Sequence, residues 1–128
     1  MDLAKKKKFD ILLVDDDKEF CQSVKEVLER ENYNVCVAHN TKDAIFRSKN
    51  QKYDCLLIDI VLGPDRGTSL IVDIRKRADS ANKYSPILVI SGNLGPDIVV
   101  EISGKVQGAL VKPFNSEAFL SAVAKVCK

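Results

Sequence analysis

Tyr53-Asp54-Cys55-Leu56-Leu57-Ile58-Asp59 is the stretch on which the fold turns. Four apolar residues run into a carboxylate, and Ile60-Val61-Leu62-Gly63-Pro64 follows. A short apolar run bounded by turn residues reads as a strand buried on both faces. Asp59 stands at its C-terminal tip, where a carboxylate has no packing role. In open parallel sheets the carboxyl ends of the strands are where ligands bind. The rest of the chain is read outward from that residue.

A chain of 128 residues with 45% hydrophobic and 30% charged residues is expected to form one domain with one core. The formal net charge of +2 is too small to imply nucleic-acid binding. Lys5 to Lys8 make a basic leader over residues 1–8, read as a solvated segment before a domain spanning 9–128. No apolar run approaches the ~20 residues of a membrane span, and Ile11 to Val14 is too short to complete a signal peptide. Cys21, Cys36, Cys55 and Cys127 form no C-x-x-C pair, which argues against zinc or redox chemistry. They are read as reduced thiols in a cytoplasmic protein. His39, the sole histidine, follows a strand and is assigned a surface role.

Upstream of the central run, Phe9 to Val14 is a strand ending in Asp15-Asp16-Asp17. A helix is expected over Lys18 to Glu31, with Phe20, Val24, Val27 and Leu28 on one face and Asp17 as its N-cap. Tyr33, Val35 and Val37 alternate as a second strand. Asn40 or Thr41 starts a short helix carrying Ala44, Ile45 and Ser48. Downstream, 63–67 is a loop, and Thr68 is expected to cap a helix facing inward through Leu70, Ile71 and Ile74. Residues 79–85 are polar and irregular. Ile87 to Ile90 is a fourth strand, Pro96 opens a weak helix, and Ala109 to Val111 is a fifth strand. Asn115 or Ser116 starts a last helix with Phe119, Val123 and Val126 on one face. Five strand–helix units predict a doubly wound α/β domain, a parallel sheet with helices on both faces.

Asp15 and Asp16 end the first strand, Asp59 the third, Ser91 the fourth and Lys112 the fifth, all at one sheet edge. In the strand order 2-1-3-4-5 the first and third strands flank the switch point, so three carboxylates converge on one crevice. Close carboxylates repel unless a cation joins them, and carboxylates with waters and a phosphate oxygen are the usual ligands of Mg²⁺. A lysine and a hydroxyl suit an anion beside the metal. The pattern points to Mg²⁺-dependent phosphate chemistry with a carboxylate as nucleophile.

Four segments together resemble the response regulator receiver domains of two-component signalling: Ile11-Leu-Leu-Val-Asp-Asp16, Leu57-Ile-Asp-Ile60 with Gly67 eight residues past Asp59, Ile87-Leu-Val-Ile-Ser-Gly92, and Leu110-Val-Lys-Pro-Phe114. The resemblance implies that Asp59 is the phosphoacceptor, forming an acyl phosphate with a phosphoryl group from a kinase histidine. It implies that Asp16 holds Mg²⁺ directly, Asp15 mainly through water, and the backbone carbonyl of Val61 as a further ligand. Lys112 would pair with the phosphoryl oxygens, Ser91 would be the switch hydroxyl, and Lys112-Pro113 would be cis. The implied partners are a sensor histidine kinase or histidine phosphotransfer domain and a downstream protein target, with no nucleic acid or membrane engaged by this domain. The implied role is signalling, with self-catalysed phosphotransfer and slow autodephosphorylation only. Either a free-standing regulator or a receiver within a larger protein fits.

One departure bears on output. The family usually places an inward-turning aromatic three residues before the lysine, where this chain has Ala109. A second reading is a phosphatase of the haloacid dehalogenase type with Asp15 as nucleophile and Asp17 completing Asp-x-Asp. Glu19 stands where that family needs Thr or Val, and no acidic pair follows the fourth strand. A flavin carrier would need a hydroxyl- and glycine-rich loop after the first strand, not three aspartates.

Overall fold

The computed structural model describes residues 8–127; apart from Lys8, the basic leader lies outside the described residues. Strands β1 (Phe9–Val14), β2 (Tyr33–Ala38), β3 (Cys55–Asp59), β6 (Ile87–Ser91) and β7 (Gly108–Val111) form the main sheet. Helices α1 (Lys18–Arg30), α2 (Thr41–Asn50), α3 (Gly67–Lys76), α4 (Pro96–Ile102) and α5 (Ser116–Val126) alternate with them. The sheet runs β2-β1-β3-β6-β7, all neighbours parallel. Counting only its own strands, this is the expected order 2-1-3-4-5. An unexpected two-stranded antiparallel hairpin, β4 (Val61–Leu62) with β5 (Asp65–Arg66), occupies the loop after Asp59.

In place of the single core expected there are two, because the period-two geometry of the strands divides the interior. Ile11 and Leu13 of β1 and Cys55 and Leu57 of β3 point to the side covered by α1 and α5, where Leu28, Phe119 and Val123 meet them. Leu12, Val14, Leu56 and Ile58 point to the other side, against Leu70, Ile71 and Ile74 of α3 and Ile102 of α4. Every residue of β3 is buried. Each such Leu or Ile contributes roughly 2 kcal/mol of burial, which explains why the central run dominates the sequence pattern.

The caps follow local chemistry. Asp17, read as a cap from the sequence, accepts from the Phe20 amide, and of the alternatives at the other two helices Asn40 and Asn115 accept from the amides of Asp43 and Ala118. The inward face of α1 is carried by Cys21, Val24 and Leu28, with Phe20 and Val27 only half-buried. Cys21 thus belongs to the core stripe that the larger residues concealed. Thr68 does not cap α3: the helix begins at Gly67, and Thr68 is buried in its first turn. The reason is steric. A Cβ on Gly67 would stand 2.0 Å from the carbonyl oxygen of Asp59, and the Gly67 amide donates to the carbonyl of Ile60 at 2.7 Å. Only glycine lets α3 seat against the end of β3.

The third strand starts at Cys55 rather than Tyr53, because the Tyr53 amide is taken by the Asn82 side chain at 2.7 Å. Asn82 is fully buried. Its Oδ1 also accepts from the Ser85 hydroxyl at 3.0 Å, and its Nδ2 donates to the carbonyls of Ser48 and Gln51, both at 2.8 Å. One side chain therefore joins the end of α2, the entry to β3 and the irregular 77–86 connection. Asn82→Ala strands buried donors and acceptors on three segments, and a loss on the order of 3 kcal/mol in urea unfolding is expected.

Candidate functional site

At the carboxyl edge of the sheet, the carboxylate oxygens of Asp15, Asp16 and Asp59 lie within 4.8 Å of one another. Asp15 and Asp16 follow the last residue of β1, and Asp59 ends the neighbouring strand β3. At such a distance two unit charges repel by roughly 3 kcal/mol at an effective dielectric of about 20. Lys112 answers that repulsion. Its Nζ donates to Asp15 Oδ2 at 2.7 Å and to Asp59 Oδ2 at 2.9 Å. The ammonium also lies 4.0 Å from the centre of the Phe20 ring, a cation–π contact.

The remaining oxygens are engaged by backbone. Asp15 Oδ1 accepts from the Asp17 amide at 2.9 Å, and Asp59 Oδ1 from the Val61 amide at 3.0 Å. Burial raises the Asp15 carboxyl above its ordinary 3.8, and the neighbouring Asp59 pushes the same way; the hydrogen bonds from Lys112 and the Asp17 amide only partly offset this. A folded value above the unfolded one means that stability is fully present below 3.8 and is lost as pH rises through the raised value. Ionising Asp15 in this buried place therefore costs the fold stability. For Lys112, burial alone would lower the value, but the hydrogen bonds to Asp15 and Asp59 overcome it and hold it above 10.5. Its stabilising contribution is complete below that value and is lost only in strong alkali, so Lys112 stays charged across neutral pH.

Three carboxylates and one ammonium sum to −2, and hard oxygen donors at this spacing fit a divalent cation such as Mg²⁺. The site residues read from the sequence thus converge, with one difference. Ser91 is buried at the end of β6, but its hydroxyl donates to the Asn93 carbonyl at 2.9 Å and accepts from the Asn93 amide at 3.2 Å. The hydroxyl is closed on its own loop and bonds neither carboxylate nor the lysine ammonium, while the Ser91 carbonyl accepts from the Lys112 amide at 2.7 Å. The Lys112-Pro113 peptide is cis, as expected. Ala109 is exposed on β7, with no ring to turn inward.

Two contacts lay beyond sequence reasoning. Phe20 was assigned wholly to the helix face, yet it underlies Lys112. His39, assigned to the surface, is half-buried with Nδ1 3.0 Å from the carbonyl oxygen of Asp15. A lone histidine in a loop carries no spacing signal that could have revealed this.

A family model described as the response regulator receiver domain matches residues 11–124. The chain belongs to that family. Among solved structures, this receiver superposes on the chemotaxis protein CheY4 of Vibrio cholerae with a TM-score of 0.86 and 26% identity, covering 94% of this chain and 99% of that one. A response regulator of Burkholderia pseudomallei, solved with a phosphorylated aspartic acid and a calcium ion, gives a TM-score of 0.80 at 29% identity, covering 90% and 66%. The response regulator ArlR of Staphylococcus saprophyticus is 28% identical over 88% of this chain. The receiver spans 50% of the length of that relative, and 12% of a matching sensor histidine kinase from Pseudomonas aeruginosa. Membership of this family sets aside the phosphatase reading with Asp15 as nucleophile. Among the described residues no helix is long and apolar enough to cross a membrane.

Lys112 also has a part in stability, through its two ion pairs and its seat on Phe20. Lys112→Ala is expected to lose on the order of 2 kcal/mol in metal-free buffer, because two buried carboxylates are left uncompensated. Millimolar Mg²⁺ should recover much of that loss in urea titrations.

Proposed function

We propose that Asp59 accepts a phosphoryl group from a phosphohistidine, in a reaction that requires Mg²⁺ held by Asp15, Asp16, Asp59 and the backbone carbonyl of Val61. The observation that carries this reading is the convergence of Lys112 on Asp15 and Asp59 within a cluster of three carboxylates. An Asp59 oxygen attacks phosphorus; the new O–P bond forms as the donor's N–P bond breaks, and the histidine leaves with its electron pair. Lys112 is placed to follow the charge from the Asp59 carboxylate onto the incoming phosphoryl oxygens. The Val61 amide keeps its bond to the other Asp59 oxygen and orients the carboxylate. When bound, Mg²⁺ supplies charge neutralisation for the phosphoryl oxygens. The phosphorylated aspartic acid in the Burkholderia pseudomallei relative supports the assignment by analogy.

The proposed unit is residues 9–128, acting inside the cell. Its partners are a sensor histidine kinase or histidine phosphotransfer domain upstream and a protein target downstream. Ser91 is the switch hydroxyl: on phosphorylation it would exchange Asn93 for a phosphoryl oxygen and so release the 92–95 loop. That route gives a signal to α4 without an aromatic at position 109.

Asn cannot form an acyl phosphate, so Asp59→Asn should take up no label from acetyl phosphate while keeping its fold. Labelling of another residue at the wild-type rate would remove Asp59 from the role. Removal of Mg²⁺ by EDTA should stop uptake in the wild type.

Self-dephosphorylation is expected to be slow. Hydrolysis needs a water in line with phosphorus. Val61, 61% exposed beside Asp59, presents an apolar side chain that cannot hold one. Val61→Asn should shorten the acyl-phosphate lifetime several-fold in excess Mg²⁺, measured as decay of the labelled protein. An equal or longer lifetime would show that Val61 does not limit water access.

A further inference from the structure

We propose that His39, together with Cys21, is a positioning residue that locks the peptide plane between Asp15 and Asp16. The inference rests on the reading of these two aspartates as metal-holding carboxylates and adds a residue to that site. Three observations carry it. The His39 ring nitrogen Nδ1 lies 3.0 Å from the Asp15 carbonyl oxygen. The buried thiol of Cys21 lies 3.3 Å from the same oxygen. The Asp15 amide, on the other side of the residue, donates to the carbonyl of Ala38 at 3.1 Å.

A carbonyl oxygen can only accept, so Nδ1 carries the hydrogen and the thiol donates. Two donors then serve the two lone pairs of one oxygen, and the 3.9 Å separation of Cys21 Sγ from His39 Nδ1 is a packing contact between two donors. That carbonyl belongs to the peptide unit joining Asp15 to Asp16. The unit is planar, so holding its oxygen also holds the amide and Cα of Asp16. The two carboxylates need this help unequally. Asp15 is already gripped by Lys112 and by the Asp17 amide. Asp16 is exposed, and among the described residues no hydrogen bond or ion pair fixes its side chain. Only its backbone is held, while the other two charges repel its carboxylate. A clamp on the peptide that precedes it preorganises the second metal-holding group.

The test compares two variants of one position. His39→Asn keeps an N–H donor near the place of Nδ1; His39→Leu keeps bulk and removes the donor. Mg²⁺ binding is followed by calorimetry and by the amide shifts of residues 15, 16 and 59, alongside the urea midpoint. His39→Leu should bind Mg²⁺ about three- to tenfold more weakly, and His39→Asn within about twofold of wild type, as the loss of one hydrogen bond requires. With acetyl phosphate, the leucine variant should need more Mg²⁺ for half-maximal labelling yet reach a near wild-type rate at saturation. Wild-type Mg²⁺ affinity in the leucine variant, or an equal loss in both variants, overturns the proposal. Should His39→Leu fail to fold, Cys21→Ser and Cys21→Ala decide: weaker Mg²⁺ binding in the alanine variant alone supports the clamp, and equal binding in the two refutes it. Absence of Mg²⁺ uptake by the wild type would instead refute the underlying metal site, and the clamp with it.

Discussion

The site depends on one ammonium. Lys112 Nζ sits between Asp15 and Asp59, at 2.7 and 2.9 Å, and brings the end of β7 to the ends of β1 and β3. Without a cation there, three carboxylates within 4.8 Å would push the carboxyl edge of the sheet apart. The fold accepts that strain because the strands beneath are fixed by burial on both faces. Desolvation that keeps Asp15 reluctant to ionise also keeps it ready for a cation, since a divalent ion relieves both the burial and the repulsion. Stability and binding chemistry here are opposed uses of the same charges.

The surroundings of the cluster are arranged as holders, each drawn from a different element. The Asp17 and Val61 amides fix one oxygen of Asp15 and of Asp59. Phe20 of α1 supports the lysine from below, and Phe114 meets Phe20 edge-on at 6.1 Å and stacks on Phe119 at 5.2 Å. The hairpin after Asp59 is tethered on both sides: Thr41 of α2 donates to Asp65 at 2.7 Å, and Arg66 pairs with Glu101 of α4. The loop that carries Val61 is thus connected to two helices that do not themselves reach the carboxylates.

The sheet order and the convergence of Asp15, Asp16, Asp59 and Lys112 were legible because strand ends are marked by abrupt changes of chemistry. Apolar runs such as Ile11 to Val14 stop at charges, and parallel topology sends all those stops to one edge. Contacts between chain-distant side chains left no such mark. Cys21 looked like one small residue on a helix with larger apolar neighbours, yet it is among the buried residues of α1. Thr68 carried the chemistry of a cap, but the clearance required at Gly67 started the helix earlier. Ser91 was placed correctly at its strand end, while the direction of its hydroxyl, toward Asn93, depends on a loop conformation that composition does not encode. The Val61–Arg66 hairpin was hidden inside a stretch whose Gly and Pro read only as a turn.

The alternation of side chains along the strands has a consequence for how this chain can change over time. Ile11 and Leu13 belong to one interior, Leu12 and Val14 to another, and a single thickness of backbone separates them. Substitutions on opposite sides share no packed neighbour, so their costs should sum rather than compound. A lineage could remodel the layer under α3 and α4 without revising the layer under α1 and α5. The backbone wall makes the two halves of the molecule separately editable, while the charged edge they share keeps them answering to the same event.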